Sequence, residues 1–217
     1  MNRYTSSEAI ILENRRIGEQ HKGLTLFTPD EGIVRAIAYG GYSHKGSLRG
    51  VTAVYTHGTA FLYHEPARGR TKLSDIEVRS MFHGIREDVL RFYTAGLWAE
   101  MVLRSFGGGE ASADLFRLLL EGLTLLDAAE EERTRVLSAQ VQLRYLSIAG
   151  APVDPDHVRD PDVRPFVEAA YSHSLAESLA VPPPAAELTG IQRALFRRLE
   201  RVVEGPLRTV RSSGGIL

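Results

Sequence analysis

The sequence predicts an α+β protein: a five-stranded β-barrel over residues 1–80, followed by an all-α domain over residues 81–217. Two observations carry this. Up to about residue 80 the apolar residues come in short, β-branched runs that alternate with polar ones and are separated by glycine, proline and aspartate turns. From residue 86 they recur every three or four positions, the period of an amphipathic helix.

The strands follow in order. Glu8–Glu13 is short, apolar and β-branched, and Gly23–Thr28 is a second such run. Pro29-Asp30-Glu31-Gly32 is a turn sequence, so strand two and the third run, Ile33–Tyr39, form a hairpin. Gly40–Ser47 is a loop. A long run from Val51 to Glu65 reads as the fourth strand, with Gly58 inside it marking a bulge or bend. Arg70–Arg79 is the fifth, carrying Leu73, Ile76 and Val78. Five short strands with a long third-to-fourth connection suit a small closed barrel of the OB type. An SH3-like barrel or a simple curled sheet accommodates the same pattern.

In the second half, Val89, Leu90, Tyr93, Leu97, Met101 and Phe106 outline one helix, stopped by Gly107-Gly108-Gly109. Asp114–Ala129 is a second. The carboxylates Glu130-Glu131-Glu132 open a third, where they complement the positive end of the helix dipole, and it runs to about Ala149. Pro152–Pro165 and Pro182-Pro183-Pro184 are breaks. The last strong helix spans Leu188 to about Glu204 and ends at Gly205-Pro206.

Composition narrows the chemistry. The chain has no cysteine, which excludes disulfides, thiolate zinc sites, iron–sulfur clusters and cysteine nucleophiles. A reducing, cytoplasmic setting fits this. No apolar run reaches the length of a membrane span, and Met1–Glu8 has no secretory-signal character. Net charge is −1, but residues 1–80 hold 11 Lys and Arg against 8 Asp and Glu, and the remainder holds 15 against 19. The sign of that split points to an anionic partner for the first half.

No motif supports bond chemistry, a metal or a cofactor. Gly41–Ser47 lacks the Gly-Lys-Ser/Thr order of a phosphate loop, because Lys45 precedes Gly46. It reads instead as a flexible basic loop. The run Asp154–Asp162 has four carboxylates but neither the central glycine nor the terminal glutamate of a calcium loop, and reads as a solvated turn. The seven histidines show no metal-binding spacing. No Gly-x-Ser-x-Gly elbow is present. The chain is expected not to be an enzyme.

The basic residues carry the functional signal. Arg15 and Arg16 follow strand one, Lys22 opens strand two and Arg35 lies within strand three. Lys45 and Arg49 sit in the long loop, and Arg68, Arg70 and Lys72 cluster at the fourth turn. In an OB-like barrel such loops border the oligonucleotide groove. Tyr39, Tyr42, Phe61 and Tyr63 are interleaved with them and could stack bases. On the last helix, Arg193, Arg197 and Arg201 form an i, i+4 stripe suited to a nucleic-acid path or an acidic peptide. The competing reading is an adaptor whose barrel binds a subunit or peptide and has little DNA affinity.

Residues 8–150 resemble the RecO family of bacterial recombination mediators. The resemblance rests on Glu8–Leu12, Gly18-Glu19, Leu24–Thr28, Gly32–Gly40 and the loop with Lys45 and Arg49. Ile85–Asp88 and Gln142–Gly150 extend it into the helical part. It implies an OB-fold N-terminal domain, binding of single- and double-stranded DNA, annealing of complementary strands and a nucleoid-associated location. It also implies a complex with RecR, contact with the acidic C-terminal tail of single-stranded DNA-binding protein, and indirect help to RecA. Arg144, within Gln142–Gly150, joins the arginines of the last helix, Arg193, Arg197 and Arg201, as a candidate for that acidic tail. Many members carry a four-cysteine zinc module after this segment, and here the aspartate–proline loop stands in its place.

Overall fold

The computed structural model describes residues 3–43, 46–66, 69–105 and 110–217. The chain divides into two compact units, Met1–Phe82 with Phe106–Phe116, and His83–Ser105 with Arg117–Leu217.

The first unit is built on β1 (Tyr4–Ile17), β2 (His21–Thr28), β3 (Gly32–Ala38), β4 (His57–Glu65) and β5 (Arg70–Ser80). They close a barrel in the order β1-β2-β3-β5-β4. One long strand makes closure possible: β1 pairs β4 through Tyr4–Ile10 and β2 through Ile10–Ile17. A register shift between Ile11 and Glu13 bends it between its two partners. The parallel pair Ile37↔Lys72 joins β3 to β5 and seals the cylinder. Antiparallel strands closed by one parallel contact give the five-stranded OB arrangement predicted from the sequence.

Alternation decides what faces inward. On β3, Val34, Ala36 and Ala38 enter the core while Arg35 points out. Ala9, Ile11, Leu24, Leu26, Ala60, Leu62, Leu73 and Ile76 join them from the other strands, and Leu48 from the long loop. Ile10 and Phe27 are buried on the outer side, where Phe116 packs 5.7 Å from the Phe27 ring and 6.4 Å from His57.

Two strand expectations change. Tyr4–Ser7 extends β1 because β4 offers it a ladder, not because the segment is apolar. Conversely, Val51–Thr56 is a loop, not the start of β4. Thr52 Oγ1 donates to Leu48 O at 2.6 Å, and the Lys22 ammonium donates to Thr52 Oγ1 at 2.9 Å, pinning the segment as a turn. Tyr55 then takes a left-handed φ of 65° and its N–H donates to Ile11 O.

The second unit contains α1 (His83–Glu87), α2 (Val89–Ser105), most of α3 (Glu110–Leu126), α4 (Glu131–Ile148), α5 (Arg164–Ser172), α6 (Leu175–Ser178), α7 (Ala185–Val202) and α8 (Arg208–Ser212). The central helix is α4, buried along nearly every face from Val136 to Leu146. The amide donors of Gln140 and Gln142 and the Tyr145 hydroxyl find acceptors inside the unit, while Gln140 Oε1 and Gln142 Oε1 have no partner among the described residues. Gln140 Nε2 donates to Phe166 O at 2.9 Å, and the Tyr145 hydroxyl donates to Met101 O at 3.2 Å. Helix α5 was unexpected, because Pro165 reads as a breaker. It occupies the first turn, where proline's missing N–H costs nothing. Among the described residues, no helix is long and apolar enough to cross a membrane.

The chain end is strapped by two side chains of α2. Glu100 accepts the Arg208 and Thr209 N–H groups, both at 2.8 Å, and Arg104 donates to the Val203 and Pro206 carbonyls. Burial pushes the Glu100 pKa up. The two amide bonds, the Thr209 hydroxyl and Arg104 outweigh that and hold it below the usual range. A depressed carboxyl stabilises the fold above its unfolded pKa, and the contribution disappears as pH falls through the folded value. Glu100→Gln is therefore expected to cost about 1–2 kcal/mol at neutral pH, with the gap to the parent protein closing in acid. Urea titrations at both pH values read this directly. A gap independent of pH would remove the carboxylate charge from the account.

Candidate nucleic-acid interface

Three of the predicted arginines converge. Arg15 on β1, Arg35 on β3 and Arg70 at the start of β5 line one cleft of about 750 Å³ on the outside of the barrel. Their positions follow from strand alternation and from closure, which brings β1, β2, β3 and the start of β5 around one hollow. Arg15 is paired with Gly23 of β2, and that glycine leaves room for it. A Cβ at position 23 would stand 2.8 Å from the Ile17 side chain and 3.1 Å from Arg15 Cγ. All three guanidinium groups belong to exposed residues, and none makes an ion pair among the described residues. The one carboxylate in the lining, Glu13, accepts the Thr25 hydroxyl at 3.1 Å. The cleft is thus a concave surface with net positive charge.

The loop above it is more structural than the sequence suggests. Lys22 is 7% exposed, and its ammonium is spent inside the protein, donating to Arg49 O, Thr52 O and Thr52 Oγ1. Burial, and secondarily Arg49, lowers its pKa. Lys22 does not belong to the exposed cationic surface expected of it. It fixes the long loop, because an ammonium removed from water must find acceptors. Tyr42 sits beside it, its ring 5.1 Å from Lys22 Nζ and 5.3 Å from the Arg16 guanidinium. Its N–H donates to Gln20 O. Arg16 caps its own hairpin by donating to the Gly18 and Glu19 carbonyls. Arg49 is exposed in the same loop. Lys72 is half-buried, 6.0 Å from the Tyr39 ring. Lys45 and Arg68 lie outside the described residues.

In the helical unit, Arg193, Arg197 and Arg201 occupy the exposed face of α7, opposite the buried Leu188, Gln192, Leu195 and Leu199. Arg197 and Arg201 border a shallow hollow with Glu200, Gly205 and Pro206. Arg198 is turned inward and donates to the Ala151 and Pro152 carbonyls. Arg144 has other neighbours. It is half-buried on α4 and donates to His173 O at 2.9 Å. Burial lowers its pKa, while Glu121 and Tyr171 act in the opposite direction.

The aspartate loop closes on itself. Asp154 accepts the Asp156 N–H and the His157 ring N–H, and Asp160 accepts the Asp162 N–H. Among the described residues no three histidine or carboxylate groups converge as a metal site would require.

Two family models cover nearly the whole chain: Recombination protein O N terminal over residues 1–82, and Recombination protein O C terminal over 86–211. Similar curated proteins carry the name DNA repair protein RecO. The one from an Exiguobacterium species is 32% identical over 155 residues, 71% of this chain and 61% of that protein. The one from Heliobacterium modesticaldum is 34% identical over 145 residues, 66% of this chain and 50% of that protein. The one from Acaryochloris marina is 24% identical over 206 residues, 89% of this chain and 68% of that protein. Against the first two, the chain spans only half to three-fifths of the relative's length. With a closed barrel at its front, helices behind it and both models matched in order, the chain belongs to the recombination protein O family.

Proposed function

We propose that this protein is a DNA repair and recombination mediator that binds single- and double-stranded DNA through the barrel. In this role it anneals complementary strands and, with RecR, assists the loading of RecA. The observation that supports this reading most is the meeting of Arg15, Arg35 and Arg70 in one cleft, with no ion pair to neutralise them among the described residues. Guanidinium groups without carboxylate partners gain by displacing counterions from phosphates, and two strands so neutralised can approach each other. No bond is made or broken. On the helical unit, either the exposed arginines of α7 or the half-buried Arg144 of α4 would meet the acidic tail of single-stranded DNA-binding protein, and the exposed stripe is the more accessible of the two.

Salt dependence tests the proposal. Arg15, Arg35 and Arg70 line the cleft, Lys72 is the cross-strand partner of its lining residue Ile37, and Arg49 is exposed on the long loop. If these five neutralise phosphates, the affinity for a single strand falls with a log–log slope near −3.5 against salt. A flat response would transfer the barrel to the adaptor reading.

A further inference from the structure

The outer surface of the barrel continues beyond the arginine cleft. Tyr4 of β1 is partnered with Tyr63 of β4, Tyr63 with Lys72 of β5, and Lys72 with Ile37 of β3. Cross-strand partners place their side chains on one face. The Tyr4 and Tyr63 rings lie 4.9 Å apart, and Lys72 Nζ is 6.0 Å from the Tyr39 ring, two residues past Ile37. Tyr39, Lys72, Tyr63 and Tyr4 thus form one row across four strands. Its two ends are open, with Tyr4 66% and Tyr39 37% exposed.

The row is continuous with the cleft. Ile37 lines the cleft, and Gly69, Arg70 and Thr71 line both the cleft and a second hollow that Arg3 and His64 share. Its charge is net positive: Lys72 sits at its centre with Arg70 and Arg3 alongside, against one carboxylate, Glu65, which faces Arg70 across the strands and shares the second hollow. Phe61, the remaining exposed aromatic of β4, is partnered instead with Asp75, and Glu77 follows on β5. Acidic residues on that side would repel a phosphate chain and keep it on the tyrosine row.

We infer that the row Tyr39–Lys72–Tyr63–Tyr4 is a base-stacking track that receives a single strand as it leaves the arginine cleft. The inference rests on the DNA-binding reading above and adds to it a surface and a selectivity. Aromatic faces stack any base, so the track tolerates all sequences, but it requires bases that are not already stacked in a duplex. The track therefore favours single strands, whereas the cleft reads only phosphate.

The test compares an intact oligothymidylate with an abasic strand of the same length, using the full chain. The parent protein should bind the intact strand roughly ten- to a hundredfold more tightly. A Tyr4→Leu/Tyr63→Leu variant should lose that preference and keep its salt slope, and a Tyr4→Phe/Tyr63→Phe variant should retain both. Tyr39→Leu, at a strand end, should lose part of the preference and provides a readout if the double leucine variant fails to fold. If the parent binds both strands equally, or if the leucine variants still discriminate, the track is overturned and the row becomes a surface for some other partner, with the cleft unaffected. If the parent binds neither strand, the DNA-binding reading itself fails.

Discussion

Replacing Arg15, Arg35 and Arg70 together by glutamate is expected to reduce single-strand affinity by about a hundredfold or more. Each charge-assisted hydrogen bond to a phosphate is worth roughly 1.5–3 kcal/mol, and about 1.4 kcal/mol corresponds to a tenfold change in affinity. Even if half of the gross contribution is returned by relaxation of the strand, three losses at the middle of that range leave about 3.4 kcal/mol, which passes that mark, and reversal adds repulsion. The salt slope gives a sharper diagnosis. Three fewer phosphates should bring it from near −3.5 to about −1.4. The fold should survive, because the three residues are exposed and make no ion pair among the described residues that would be broken. Unaltered affinity with an intact fold would remove the cleft from the interface. A weaker complex with an unchanged slope would mean that the arginines shape the cleft without touching phosphate.

Part of this site was legible in one dimension and part was not. That Arg15 and Arg35 face outward follows from alternation with Val34, Ala36 and the other core residues. Their meeting with Arg70 depends on closure through the Ile37↔Lys72 contact, and no local pattern specifies that register. Lys22 shows the limit most clearly. As a lysine at the head of a strand it looks like a surface cation. Its burial is decided by Thr52, thirty positions away, whose hydroxyl waits beneath a loop that the alternating pattern mistook for a strand. Tyr4 was missed because the sequence around it carries no apolar run, and its pairing with Tyr63 is supplied entirely by β4.

The helical unit follows the same division. The helices α2, α3 and α7 announced themselves through their apolar spacing, whereas α5 was hidden by a proline that ends a helix in most settings and begins one here. The polar positions Gln140 and Gln142 of α4 look like surface in the sequence. They are buried because Phe166 and Ser138 supply acceptors for their amide groups.

Closure of the barrel itself depends on a single glycine. Gly58 lies in β4 at a register shift against β5, where the sequence suggested a bulge or bend. A Cβ at this position would stand 2.2 Å from the Glu77 carbonyl oxygen and 3.0 Å from Val78 Cα. Both atoms belong to the backbone of β5, so no side chain can rotate out of the way. Relief requires β4 and β5 to separate, at the seam that also holds the Ala60, Leu62, Leu73 and Ile76 core. Gly58→Ala should therefore destabilise the barrel by about 3 kcal/mol, at the upper end of overpacking costs and a large share of the stability of an ordinary domain. Gly50→Ala is the matched control. Its Cβ meets nothing within 4 Å, so the substitution should be neutral or stabilise by up to about 1 kcal/mol through the unfolded chain. Urea unfolding of the two variants should separate them clearly. Equal midpoints would mean that the two strands do not approach as closely as the geometry requires, and the closed barrel that shapes the arginine cleft would lose its tightest constraint.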